Sequence, residues 1–554
     1  MNRLQGLLLL VFLSFSMLFQ NVKAQHSGQS FSSYEVDVNG ISFQIDPKIE
    51  LFNIIAMQFG HSGMTISNIP YKQESLNYFS DYSDHHAPAL LMETWQKGWY
   101  VDDPMFFLLH LDDDFTIKDN MPEEIIERAG GIEQLQKLTD AFREYAHVSG
   151  FYTYFNEVQK PFYEQILSQT AYNFGDFNAV EMLEDFYGAQ ANSYNLILNI
   201  NSGYGNFGKS IVSDGSLDLY AIVETSVAIG DMPVYTPSVA TMDLILHEFS
   251  HGFVNPVIDV FADQISTYDH LLSPIEESMR SQAYHHWHTV VNEHIVRANV
   301  ILMAEQTWGE TYARQMFYRN EMGKRYIYLD AILNRMEAYL KNRDKYTTFA
   351  DYANELVSVF DGITDKYISD KQQKVQEIRE PNISSIPKPY DITKDSSTVF
   401  VIGTHEPDKA AEKLMHDWVT SYRDMFSGDI QIITDDEALN KDLSNHDIVL
   451  FGTQEGNRFL KNHISDLPIA IDDEKIVTNK IIRGTNLQLV TSWVNPFNME
   501  KTMVIYTAQQ TADIQRFNYS MHKDQYHYWV AKDLITLEKG NYSNYYRIWM
   551  PDIF

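Results

Sequence analysis

The chain has 554 residues, enough for two to four domains, and its 44% apolar and 13% aromatic content is that of a folded globular protein. A formal net charge of −33 makes a surface that repels phosphate backbones, which argues against nucleic acid as a partner. The absence of cysteine excludes disulfides, thiolate metal sites and cysteine nucleophiles, so any metal must be held by His, Asp, Glu or backbone oxygens.

At the N-terminus, Met1-Asn2-Arg3 carries one positive charge ahead of an apolar run from Leu7 to Phe19. Val22-Lys23-Ala24 then sets small residues at the two positions that a signal peptidase reads. This predicts a signal peptide over residues 1–24, with export to the periplasm or the exterior. No later stretch is apolar for about eighteen residues, so no membrane span is expected in the mature chain.

Tyr34 to Ile45 alternates apolar and polar residues around Asn39-Gly40, a hairpin signal. Residues 41–190 are expected to be mostly helical, with periodic segments such as Glu123 to His147. Between 194 and 235 the period changes, and Tyr194 to Ile200 and Leu217 to Thr225 read as strands on either side of a glycine-rich turn, Ser202 to Gly208. Helices return over 236–370.

The first of them carries His247-Glu248-Phe249-Ser250-His251, the pattern H-E-x-x-H. On a helix, positions i and i+4 share a face, so two imidazoles can grip one zinc ion from adjacent turns. The glutamate between them stands beside the metal, where it can take a proton from water that the zinc activates. Thr236 can cap this helix and Pro237 suits its first position. The bare pattern is common, but its uncharged neighbours Leu244, Ile245, Leu246, Phe249, Ser250, Gly252 and Phe253 meet the stricter form found in zinc peptidases.

A catalytic zinc usually takes a third protein ligand. The position ten residues beyond His247 is Val257, so a third histidine at that spacing is missing and the ligand must be an acid. Glu293 is favoured, within Asn292-Glu293-His294 on a strongly helical stretch from Gln282 to Trp308, 42 residues after His251. Glu276 and Glu277 remain open, at 25 and 26 residues, although acids in the first turn of a helix are favoured by its dipole alone. Asp259 is a more distant alternative.

The helix pair HEFSHGFVNP and VVNEHIVRA resembles a gluzincin-type zinc metallopeptidase. Over about residues 40 to 365 the chain is similar to an uncharacterised family of secreted bacterial proteins defined by a domain of unknown function. The resemblance implies a zincin-like α+β catalytic region over residues 25–380, mostly helical with a small mixed sheet. It also implies a zinc cofactor, a peptide or protein substrate, and a tyrosine or histidine beyond the third ligand to hold the oxyanion. Tyr318, Tyr326 and Tyr328 are the candidates, with Tyr326 or Tyr328 preferred. Residues 205–213 could supply the edge strand along which zincins lay their substrates. The chain departs from many gluzincins at Arg297, where they place an acid that orients a zinc histidine.

Other histidine groups carry less. His285-His286-Trp287-His288 points in different directions around a helix, and Asp84-His85-His86 reads as a surface loop. Residues 381–397, with Pro381, Pro387 and Pro389, read as a linker. Beyond it, residues 398–554 alternate strand and helix, with strands at Val399 to Gly403, Ile430 to Ile433, Ile448 to Gly452 and Met503 to Tyr506 and a helix from Asp408 to Met425. A small flavodoxin-like α/β domain with a largely parallel sheet is expected. Its Gly452 to Asn457 segment lacks the Lys-Ser/Thr of a phosphate loop and reads as a tight turn.

The expectation is therefore a secreted zinc peptidase with His247, His251 and Glu293 as ligands and Glu248 as general base. The alternative is a cell-envelope binding protein on a zincin scaffold whose zinc is structural or lost.

Overall fold

The structure, a computed structural model, describes residues 32–60, 69–100, 102–201, 205–213, 215–224, 228–229, 231–235, 238–309, 313, 323–378, 385–392, 396–425, 427–515, 517, 525–533, 535–545 and 548–551. The expected signal segment lies outside them. The chain divides into two compact units, Met1–Glu184 with Gln190–Pro237 and Asp185–Ala189 with Ser238–Phe554.

The first unit is built on a five-stranded sheet with strands β1 (Tyr34–Val38), β2 (Ile41–Ile45), β3 (Ser193–Asn199), β4 (Phe207–Ser213) and β5 (Ser216–Glu224) in the order β1-β2-β3-β5-β4. The hairpin between β1 and β2 forms as expected, because Asn39 (φ 52°) and Gly40 (φ 82°) both tolerate the left-handed backbone of a two-residue turn. β2, β3 and β5 run parallel, so β3 lies at the centre and is buried on both faces. β4 pairs only with β5 in this order and forms an edge. Helix α1 (Pro47–Phe59) leaves β2 directly. Asp46 caps it by accepting from the N–H groups of Lys48 (2.7 Å) and Ile49 (3.2 Å), Pro47 opens it, and Gly60 at φ 77° ends it. Its residues 47–57 are buried, polar ones included.

In the second unit, helices α2 (Val239–Asp259) and α3 (Trp287–Trp308) pack together, and a helix over Leu329–Lys341 packs against α3. Ser238 caps α2 by accepting from the Thr241 N–H at 3.1 Å, and the helix begins at Val239. The expected cap and first residue, Thr236 and Pro237, lie outside the described residues.

The C-terminal part of this unit holds a seven-stranded sheet of β6 (Thr398–Ile402), β7 (Gln431–Thr434), β8 (Asp447–Phe451), β9 (Leu487–Asn495), β10 (Asn498–Ala508), β11 (Tyr528–Lys532) and β12 (Ile535–Gly540), ordered β12-β11-β9-β10-β8-β6-β7. The four expected strands, β6, β7, β8 and β10, are mutually parallel. The sheet as a whole is mixed, since β9, β11 and β12 add on antiparallel. β9 escapes the sequence pattern because tertiary partners serve its polar residues. In β9, buried along its whole length, Gln488 donates to the Asp513 carbonyl (2.6 Å) and Asn495 to those of Leu443 (2.9 Å) and His446 (2.8 Å).

Alternate residues of the parallel strands enter two cores. Val399, Val401 and Leu450 face Phe459 and Leu460, while Phe400, Val449 and Val504 face Met415, Val419 and Tyr422. Both faces are therefore covered. Within the stretch expected as a linker, Ile386 is buried in the first of these cores, and its carbonyl accepts from His527 at 2.9 Å. An apolar side chain beside a proline has thus been used for packing rather than left in solvent.

Candidate metal centre

α2 is apolar nearly all round, and Ile245, Leu246, Phe249, Phe253 and Val254 are buried from it. One turn of helix separates His247 from His251 and puts both rings on one face, their centroids 4.9 Å apart. α3 presents Glu293 to that face. The two Nε2 atoms stand 3.2 Å apart, His247 Nε2 lies 3.5 Å from Glu293 Oε2, and His251 Nε2 lies 3.3 Å from Glu293 Oε1. Ligand atoms held about 2.1 Å from a tetrahedral ion stand about 3.4 Å from one another. Two imidazole nitrogens and a carboxylate that meets one of them with each of its oxygens form a group that could hold one divalent cation.

Around these atoms the chain supplies orienting partners. The Asn255 side-chain oxygen lies 3.2 Å from His251 Nδ1, which fixes the ring so that Nε2 faces Glu293. Arg297, one turn beyond Glu293, donates to its Oε2 at 3.0 Å, and its guanidinium lies 4.5 Å over the Tyr326 ring. Glu248 is buried between the two histidines in sequence.

Burial alone would raise the Glu293 pKa, but His251, Arg297 and His247 outweigh it and hold the carboxyl well below the usual carboxylate range. Burial and the Arg297 charge push His247 down, so its ring is neutral. For His251 burial is again the largest influence and lowers the pKa, yet Glu293, Glu248 and Asn255 together carry it above the ordinary histidine value. The site thus pairs one imidazole whose burial favours the neutral form with one whose proton the neighbouring carboxylates favour, beside an ionised carboxylate.

The other acids that the sequence left open are engaged elsewhere. Glu276 pairs with Arg280 at 2.8 Å, Glu277 is exposed, and Asp259 meets His288 Nε2 at 2.6 Å. His294, beside Glu293, points away: its Nδ1 lies 2.7 Å from the Val290 carbonyl, and burial lowers its pKa to about 4.

The tyrosines fall differently from expectation. Tyr328 donates to the Leu271 carbonyl at 2.6 Å, and its ring is wedged against Trp287, so its hydroxyl serves the core. Tyr326 donates to Gln282 at 3.3 Å and offers Arg297 its ring face. Tyr318 lies outside the described residues. The phenol coupled to the cluster is Tyr284, in the turn before α3, where Ala283 takes φ 69° and the Tyr284 N–H bonds to the Met279 carbonyl at 2.9 Å. Burial and the Glu293 and Glu248 charges raise its pKa, and the Arg297 charge opposes them. It precedes the third ligand in the chain, whereas the sequence reading looked only beyond that ligand. No spacing signal marked it.

A second grouping, His85, His86 and Glu144, lies in the first unit. His85 Nδ1 accepts from the Ala87 N–H at 3.1 Å, which leaves the ring proton on the Nε2 that faces Glu144. That tautomer leaves no nitrogen lone pair free toward Glu144 for a metal. The expected edge segment, 205–213, supplies β4 in the first unit.

Residues 41–359 match the family described as a domain of unknown function, DUF4932. The match covers more than half of the chain, and the chain belongs to that family. It takes in His247, Glu248, His251 and Glu293 and stops short of the seven-stranded sheet. No curated protein and no solved structure matches the chain.

Proposed function

We propose that the protein is an exported zinc-dependent peptidase. The reading rests on one observation: His247, His251 and Glu293 bring their ligand atoms within 3.2 to 3.5 Å of one another, with Glu248 on the same helix. Zinc, when bound, would supply Lewis acidity and lower the pKa of water. Glu248 takes a proton in the attack on the peptide carbonyl and returns it to the leaving amine. Tyr284, whose phenol is coupled to Glu293, Arg297 and Glu248, takes the place of Tyr326 and Tyr328 as the candidate hydroxyl donor to the tetrahedral oxygen. Arg297 steadies Glu293 and keeps it ionised. In this reading the α2–α3 pair is zincin-like. The C-terminal sheet is flavodoxin-like in its parallel strands, which run in the order second, first, third, fourth along β7, β6, β8 and β10.

The test is to measure zinc in the purified protein and then compare wild type with Glu248→Gln on a mixed peptide library. Cleavage lost while zinc is retained supports the peptidase. Cleavage that survives the substitution, or cleavage by neither protein, rejects it and leaves a binding protein with a structural metal.

A further inference from the structure

The first unit contains a second polar centre, independent of the metal centre on α2 and α3. Glu50, in the first turn of α1, is fully buried. Its Oε2 accepts from the Tyr71 hydroxyl at 3.1 Å and from Asn201 Nδ2 at 3.0 Å. Tyr163 lies 2.6 Å behind Tyr71, and because Tyr71 gives its proton to Glu50, Tyr163 must donate to Tyr71. Both side-chain donors to Glu50 are therefore directed at Oε2, and the Asn201 backbone N–H also acts on the carboxyl. Oε1 has no partner.

Neighbouring groups are left in the same condition. Asn53, one turn further along α1, donates to Asn199 Oδ1 at 2.6 Å and leaves its own Oδ1 unbonded. Asn201 Oδ1 and the Tyr235 hydroxyl are also buried without a partner, and Tyr235 lies close enough to feel the Glu50 charge. Each such orphan is destabilising if nothing meets it. Oxygen acceptors predominate: Glu50 Oε1, Asn53 Oδ1 and Asn201 Oδ1 against a single amide donor, Asn199 Nδ2, with the Tyr235 hydroxyl able to act either way.

No lysine, arginine or histidine is paired with Glu50 among the described residues. Asp46 takes up Lys48 at 3.5 Å, and the charge that supports Lys72 is Glu224. The centre also sits where Asn199 and Asn201 leave β3 at the carboxyl end of the parallel strands, the end at which such sheets bind ligands.

We propose that this centre holds a monovalent cation, Na⁺ or K⁺, ligated by Glu50 Oε1 and the carboxamide oxygens of Asn53 and Asn201, with the Tyr235 hydroxyl as a further oxygen donor. The all-oxygen donor set selects a hard cation and sets this centre apart from the imidazole-rich one. One carboxylate among neutral oxygens is neutralised by a single positive charge, whereas a divalent ion would leave a net charge in the interior. Buried water could meet the orphan atoms, but at the alkaline pH where Glu50 is ionised it would leave the carboxylate charge uncompensated.

The test uses the full mature chain. Thermal unfolding is followed at pH 8 while NaCl or KCl replaces choline chloride at constant ionic strength. The wild-type midpoint is expected to rise along a saturating curve, as binding to the folded state alone requires, and Glu50→Gln to stay flat. Crystals of wild-type protein grown with thallium(I) are expected to show an anomalous peak within ligating distance of Glu50 Oε1, a readout that needs no variant to fold. Equal midpoints in choline and alkali salts overturn the proposal. So do a midpoint that answers only to Ca²⁺, a Glu50→Gln variant that keeps the alkali response, and a thallium map with water alone at Oε1.

Discussion

Glu50 offers the sharpest quantitative check on the first unit. Burial is the main cause that lifts its carboxyl to about 7 from an ordinary 4.5. The hydrogen bonds from Tyr71 and Asn201 pull it back only in part, and the nearby Asp46 adds to the rise. A folded pKa above the unfolded one means that the stabilising contribution is complete below about 4.5 and is lost as pH rises to 7 and beyond. The difference corresponds to about 3 kcal/mol once the group is ionised in the folded state. Glu50→Gln keeps an oxygen to accept from Tyr71 but has nothing to ionise. Urea unfolding of both proteins in choline chloride from pH 5 to pH 8 should show wild type losing about 2.5 kcal/mol relative to the variant, most of it between pH 5 and 7. Other titrating groups cancel in the comparison. Parallel profiles would refute the burial argument, because they would mean that the carboxylate is solvated or already neutralised in the folded chain. In NaCl or KCl the wild-type loss should shrink, since a cation at Oε1 favours the ionised form.

Four further outcomes are expected. On the proposed reading Glu293→Ala removes the ligand from α3, so metal analysis after dialysis should find zinc lost while circular dichroism keeps its helical signal. Arg297→Met leaves the three ligands but removes the group that holds Glu293, and zinc affinity should weaken about 10- to 100-fold in a competition titration with a chelating dye. Because His251 keeps its proton above the ordinary histidine range, metal must displace that proton as pH falls; apparent zinc affinity should weaken from pH 8 to pH 6, with proton uptake or release measured by calorimetry in two buffers. In the C-terminal sheet, a Cβ on Gly456 would stand 1.9 Å from the Glu406 carboxyl carbon, and Glu406 is held by Thr453 (2.7 Å) and Thr511 (2.6 Å); Gly456→Ala should cost about 1–3 kcal/mol in denaturant unfolding.

Sequence alone settled what repeats at short range. Asn39-Gly40 specified the first hairpin, helical spacing put His247 and His251 on one face, and short apolar runs marked β6, β7, β8 and β10, because each of these depends on residues a few positions apart. Choosing among Glu276, Glu277, Asp259 and Glu293 needed the packing of α3 on α2, since a contact across 42 residues leaves no periodic trace. Tyr284 reaches the site through a turn whose geometry rests on one left-handed residue, Ala283, of a type that rarely takes that conformation. The Glu50 centre was hidden for the same reason. Its oxygens come from α1, from Asn201 just beyond β3 and from Tyr235 beyond β5, and only the close packing that excludes water makes their unmet hydrogen bonds matter.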